Sequence, residues 1–147
     1  MRRILSVVAA LSAAGCVDLP AGWEDAKRVS DFAQADCDGS PYDSDVPEVA
    51  VVATEQSGSV VVSAEPLHFR CAQDVEGFWK ASGGAVDLLV QPIDMNPRAV
   101  AGCDCLYRID ATIESPDAES VTVWRRWDNM NDGNEPVKEG EATVTAP

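Results

Sequence analysis

Cys103 and Cys105 stand two residues apart in a run, residues 103–114, whose apolar and polar side chains alternate almost without a break. The alternation predicts a strand with Cys103, Cys105, Tyr107, Ile109, Ala111 and Ile113 on its inner face. Asp104, Arg108, Asp110, Thr112 and Glu114 lie on the other face, and Leu106 is the one apolar residue on the wet side. Cα atoms two strand residues apart are separated by about 6.6 Å, and the two thiols point the same way, so they do not bond to each other. Cys71 closes a second inward row, Leu67, Phe69, Cys71, and is expected to meet one of the pair. Cys37 then meets the other. Each crosslink would stabilise the fold by about 2–4 kcal/mol, largely by restricting the unfolded chain. Redox catalysis is disfavoured, because a Cys-x-Cys inside a strand lacks the helix N-terminus that depresses a thiol pKa.

The remaining candidates for chemistry are few. His68 is the sole histidine, is expected to face outward between Leu67 and Phe69, and has no G-x-S-x-G, H-E-x-x-H or phosphate-loop motif to work with. No catalytic residue and no cofactor are therefore expected. Asp128, Asp132, Gly133 and Glu139 fall at positions 1, 5, 6 and 12 of an EF-hand loop, but Met130 occupies position 3, where a ligand belongs. Flanking strands instead of helices favour a hairpin turn there, with no bound metal. Trp124, Arg125, Arg126 and Trp127 form the one basic and aromatic cluster. Alternation separates the two indoles onto opposite faces unless a bulge intervenes. Such a cluster could grip a sugar, an anionic group or a partner protein, or it could be an edge strand whose arginines offset nearby carboxylates. Trp79 is assigned to the core.

These residues must be positioned by strands. From residue 49 onward, short β-branched runs are separated by Gly, Ser, Pro and Asn, the rhythm of a sandwich or barrel. Strands are predicted over residues 49–54, 59–64, 67–72, 75–81, 85–93, 103–114, 120–127 and 141–146. Pro66 would end one strand or place it at a sheet edge. Ser82-Gly83-Gly84 would form a three-residue hairpin loop. The expectation is an all-β domain over residues 49–147, an immunoglobulin-like antiparallel β-sandwich of seven or eight strands held by disulfides. Residues 16–48 read as an anchor and tether, and residues 31–48 carry six acids and no base. A short helix is possible over residues 23–33, where Trp23, Ala26, Val29, Phe32 and Ala33 fall at helical spacing; the stretch could equally lie flat on the domain.

Residues 1–16 have a signal peptide's three parts. Arg2 and Arg3 come first, then an apolar run over residues 4–14, then small residues before Cys16. That run is too short to span a bilayer, which takes about 20 residues. The ending Ser12-Ala13-Ala14-Gly15-Cys16 resembles the lipobox of bacterial lipoproteins, with Ala13 where leucine is usual and Leu11 two positions earlier. The resemblance implies cleavage before Cys16 and a diacylglyceryl group on its thiol; the alternative is an ordinary secretory signal cut nearby. Cysteine parity favours lipidation, because an exported chain with five cysteines leaves one over once four are paired. Similarity to enterobacterial lipoproteins implies an outer-membrane address, since Val17 and not aspartate follows the cysteine. Phe69-Arg70-Cys71, then a hairpin, then Cys103-Asp104-Cys105-Leu106-Tyr107-Arg108-Ile109 resembles small uncharacterised bacterial lipoproteins with a C-x-C-[LP]-Y strand. That resemblance covers residues 67–113 and implies a sandwich fold and an envelope location, without an active site.

Composition sets the remaining bounds. Loss of residues 1–15 removes Arg2 and Arg3 but none of the 25 acidic residues, so nine bases remain and the net charge is −16 instead of −14. The 132 remaining residues suit one domain. Such a charge repels nucleic acid and anionic headgroups. The expected function is a lipid-anchored, periplasm-facing or surface-exposed module that binds or builds part of the cell envelope without catalysis, its partner an unknown envelope protein or ligand. A surface protein for carbohydrate or calcium is one alternative. An inhibitor of an exported hydrolase, with a protruding loop at residues 92–102, is another.

Overall fold

The computed structural model describes residues 17–98, 102–115, 117–130 and 133–147. Cys16 and the leader lie outside these residues, as do Asp132 and part of the loop expected to protrude. The described residues form nine strands and no helix: β1 (Lys27–Arg28), β2 (Asp31–Gln34), β3 (Ala50–Gln56), β4 (Ser59–Arg70), β5 (Val75–Ser82), β6 (Ala85–Pro92), β7 (Asp104–Ile113), β8 (Ser120–Arg125) and β9 (Val137–Thr143). They make a two-sheet sandwich, β1-β5-β6-β8-β9 over β2-β7-β4-β3. Neighbouring strands run antiparallel except β6 and β8, which run parallel because the chain crosses to the other sheet as β7 between them.

Alternation builds the core. Val60, Val62, Ala64, Leu67 and Phe69 of β4 and Cys105, Tyr107, Ile109, Ala111 and Ile113 of β7 point inward, against Val86, Leu88 and Val90 of β6 and Val121 and Val123 of β8. β6 also buries Leu89, on its other face, with Phe78 and Trp23. A strand covered on both sides loses the apolar-polar alternation, hence the unbroken Leu88-Leu89-Val90 run.

What covers that second face is the segment expected to be a tether. No helix forms over residues 23–33. Trp23 caps the outer face of the five-stranded sheet, β1 pairs with β5, and β2 pairs with β7. The helical spacing was a coincidence of side chains that enter two different sheets: Trp23 joins the outer cluster, whereas Val29 and Phe32 reach the main core. Val29 donates to the Gly77 carbonyl at 2.9 Å. A Cβ on Gly77 would stand 2.7 Å from Phe32 Cδ2, so only glycine lets the ring lie there. The sandwich therefore starts well before residue 49.

Two strands expected on either side of Pro66 are one. β3 pairs with β4 only as far as Ala50–Glu65, and the β4–β7 register slips by one residue between Ala64 and Leu67. Pro66, with no N–H to donate, sits at this bulge past the end of β3. The β5–β6 hairpin turns on two residues, not three: Ser82 pairs with Ala85, and Gly83 and Gly84 have φ of 57° and 82°. β8 ends at Arg125, and β9 begins earlier than expected, through the exposed Val137 and the residues Lys138-Glu139-Gly140 of an edge strand.

The disulfides are Cys37–Cys105 and Cys71–Cys103, with Cα atoms 5.8 and 5.5 Å apart. Cys103 is exposed and lies just before β7, not inside it as expected. Leu106, expected on the wet side, is buried. The chain beyond β2 continues along β7, with Asp38 donating to the Leu106 carbonyl at 2.9 Å, Leu106 donating to that of Gly39 at 3.2 Å, and Cys37 crosslinking them.

Candidate functional site

β6 and β8 run parallel and end side by side, and the four residues of the basic and aromatic cluster leave that end in different directions. A register shift against β9 between Val123 and Trp124 leaves Glu139 unpaired on β9. Arg125 Nε donates to Glu139 Oε1 at 2.5 Å, and the Arg125 guanidinium stands 4.7 Å over the Trp127 ring. Trp124 goes to the outer face, half-buried beside Trp23 and Leu89, and its Nε1 donates to Asp87 Oδ1 at 2.9 Å. Trp127 lies past the strand, edge-on to His68 at 4.7 Å. Arg126 is 7% exposed and turns toward the start of the described chain. Its Nη1 donates to the Asp18 carbonyl at 2.9 Å and to Gln91 Oε1 at 3.3 Å, its Nε donates to the Asn134 carbonyl at 3.0 Å, and both terminal nitrogens reach Asp18 Oδ1 at 3.4 Å. The cluster is not one patch. Its arginines do offset carboxylates, as one of the two sequence readings holds, but β8 is interior, between β6 and β9, not an edge.

Beside Trp124 is a cleft of about 240 Å³ lined by Ala21, Trp23, Lys80, Asp87, Trp124 and Pro136. Lys80 Nζ sits 4.3 Å over the Trp23 ring and donates to the Gly22 carbonyl at 2.8 Å. The partly exposed Trp124 indole for stacking, with the Asp87 carboxylate and the Lys80 ammonium beside it, offers apolar and polar partners to a sugar ring. A larger open groove of about 830 Å³ borders the Cys37–Cys105 bond, with Pro66, Leu106 and Tyr107 on it and Asp38, Glu48 and Glu65 at its rim.

His68 is on the outer side of β4, as alternation requires, but it is covered. It lies between Tyr42 and Trp127, with Nε2 3.2 Å from Asp104 Oδ2. The Tyr42 hydroxyl donates to the same carboxylate. That hydrogen bond holds the Asp104 carboxyl below the usual aspartate range; partial burial acts against it, and His68 lowers it further. The same bond raises the Tyr42 phenol above its ordinary value. A carboxyl depressed in the folded state adds stability that is fully present above about pH 4 and is lost as pH falls through its folded value. The urea midpoint of Asp104→Asn is therefore expected to fall less steeply than that of the unaltered protein as pH drops from about 5 to about 2. Equal slopes would remove Asp104 from the account of acid stability.

The stretch with EF-hand spacing is held at both ends by arginines. Asp128 is 0% exposed and accepts from Arg70 Nε and Gln73 Nε2, each at 3.0 Å, and from the Met130 amide at 3.0 Å. Glu139 is the partner of Arg125. These contacts place the two carboxylates in separate networks, one with Arg70 and one with Arg125.

Comparison with family models, with curated proteins and with solved structures gives no match. Functional reading therefore rests on the chain itself. Among its described residues, sequence reasoning had no signal for Asp18, Asp87, Gln91 or Asn129, isolated polar residues brought to the site by strand pairing and by the N-terminal segment. A fully buried Gln91 inside a Leu-Leu-Val-Gln run was the nearest thing to a clue.

Proposed function

We propose that this chain is a lipid-anchored protein of the bacterial cell envelope, attached through Cys16 and acting there as a non-catalytic binding or structural module. Cysteine parity carries the reading. All four cysteines among the described residues are paired in disulfides, and Cys16 is the fifth, at the end of a signal-like leader. Two disulfides fit an oxidising compartment outside the cytoplasm. Several acyl chains on one residue, each buried methylene adding about 0.8 kcal/mol of membrane affinity, would hold the domain stably. The outer membrane is the address implied by Val17, with the domain facing the periplasm or the cell surface and its partner an envelope protein or ligand. In fractionated cells, Cys16→Ala is expected to move the protein from the membrane to the soluble exported fraction. Retention of that variant in the membrane would remove Cys16 as the anchor.

The cleft beside Trp124 favours a second reading, a surface receptor for carbohydrate. Titration with oligomers of glucose or of N-acetylglucosamine is then expected to shift tryptophan emission in the unaltered protein and not in Trp124→Ala. Calorimetry with the same sugars showing no heat of binding would dispose of the reading.

A further inference from the structure

We infer that the end of the sandwich gathered around Asp18 lies directly against the lipid surface, without an intervening tether. The inference rests on the anchor at Cys16 and goes beyond it. Asp18 is two residues from Cys16, and an extended chain advances about 3.3–3.6 Å per residue, so the lipidated cysteine is within about 7 Å of Asp18. Asp18 is fixed to the domain. Besides the Arg126 contacts, its carbonyl accepts from Gln91 Nε2 at 3.0 Å and its Oδ2 from Asn129 Nδ2 at 2.8 Å. Asn129 in turn donates from its backbone to the Met95 carbonyl at 2.6 Å and from its side chain to Asn96 Oδ1 at 3.0 Å. The start of the described chain, the loop after β6 and the loop after β8 are thereby joined at one end of the molecule. The acidic half of the expected tether, residues 31–48, comes after Asp18 and so cannot space the domain from the membrane.

The chemistry of this end suits a lipid surface. Val17 is 45% exposed, Ile93 just past β6 is 55% exposed and Met130 beside Asn129 is 59% exposed, three large apolar side chains on the same end. Apolar residues held at this depth enter the headgroup and acyl boundary, gaining area removed from water. Asp18 is neutralised by Arg126, and Asn96, Asn129 and Asn134 are uncharged. Asp74, whose carbonyl accepts from the Ile93 amide at 3.0 Å, remains at this end with Asp94, Glu135 and Arg98, a net negative set. Zwitterionic lipid is therefore the matching partner, because a mature chain of net charge −16 gains nothing from an anionic surface.

The test is hydrogen exchange on the mature lipidated protein in phosphatidylcholine vesicles, beside a variant with ten Gly and Ser residues inserted between Cys16 and Val17. The insertion keeps both the lipid and the Asp18 contacts and adds a flexible reach of about 17 Å. Amides of residues 93–98 and 126–130 are expected to exchange several-fold more slowly in the unaltered protein than in the insertion variant. The turns at Gly58 and Gly83, remote from this end, should exchange equally in both. Equal exchange at residues 93–98 and 126–130, with the lipid verified by mass on both chains, overturns the inference and leaves the anchor standing. A mature chain that carries no lipid overturns both.

Discussion

Arg70→Met is expected to lower the unfolding free energy of the domain by about 3–5 kcal/mol, a large part of the roughly 5–15 kcal/mol that a domain of this kind has. The effect comes from what is left behind. Asp128 is 0% exposed, and Arg70 Nε, 3.0 Å from Oδ2, is its cationic partner, while Gln73 Nε2 and the Met130 amide are neutral donors. Without the guanidinium a charged carboxylate stays in a site that water does not reach. Arg70→Met/Asp128→Leu removes the stranded charge together with its partner, so the double variant is expected to be more stable than Arg70→Met alone. Urea denaturation at neutral pH measures both, with an unchanged m-value showing that the unfolded state is not the source. A loss under about 1 kcal/mol for Arg70→Met would place the pair in the class of exposed ion pairs.

Cys37→Ala/Cys105→Ala is expected to cost about 4 kcal/mol. This bond closes a separation of 68 residues, against 32 for Cys71–Cys103. In the chain-entropy account the longer loop stabilises more by about 0.7 kcal/mol. The consequence is also local. Residues 35–39 are held on β7 by this bond and by the backbone hydrogen bonds of Ala35, Asp38 and Leu106. Loss of the crosslink is therefore expected to speed amide exchange at residues 35–39 and at Leu106, while the β4–β7 ladder around Ile109 keeps its protection. Cys71→Ala/Cys103→Ala should leave residues 35–39 protected. If the two double variants were equally destabilised and equally protected, the Cys37 bond would have no separate role in pinning the N-terminal segment.

The sequence made β7 legible because it pairs on both sides and, Leu106 apart, keeps a wet outer face, so period-2 alternation survives over ten residues, whereas Pro66 made the single strand β4 read as two. The same alternation excluded a Cys103–Cys105 bond and brought Cys71 and Cys37 to the pair. β1 and β2 were not legible. They span two and four residues, each hydrogen-bonded to a single neighbour, and Trp23, Val29 and Phe32 bury into different sheets at intervals that imitate a helix. β9 begins in the exposed residues Val137 and Lys138, without an inward apolar row, because it is an edge strand. In the cluster at Trp124 to Trp127 the residue types and the parting of the two indoles were legible, but not the separate destinations of the two arginines. A bulge at Glu139 of β9 and the end of β8 at Arg125 scatter four adjacent side chains into the outer cluster, the β9 edge, the Asp18 clasp and the His68 stack. No local pattern encodes such a dispersal.

Intact mass of the mature chain extracted from membranes, measured before and after reduction and beside Cys16→Ala, tests the anchor and the crosslinks together. A lipid-sized addition that disappears in the variant is expected, with a gain of about 4 Da on reduction from two bonds that each take up two hydrogens. A soluble chain of unmodified mass with Cys16 free would contradict the assignment of this protein to the lipid-anchored envelope.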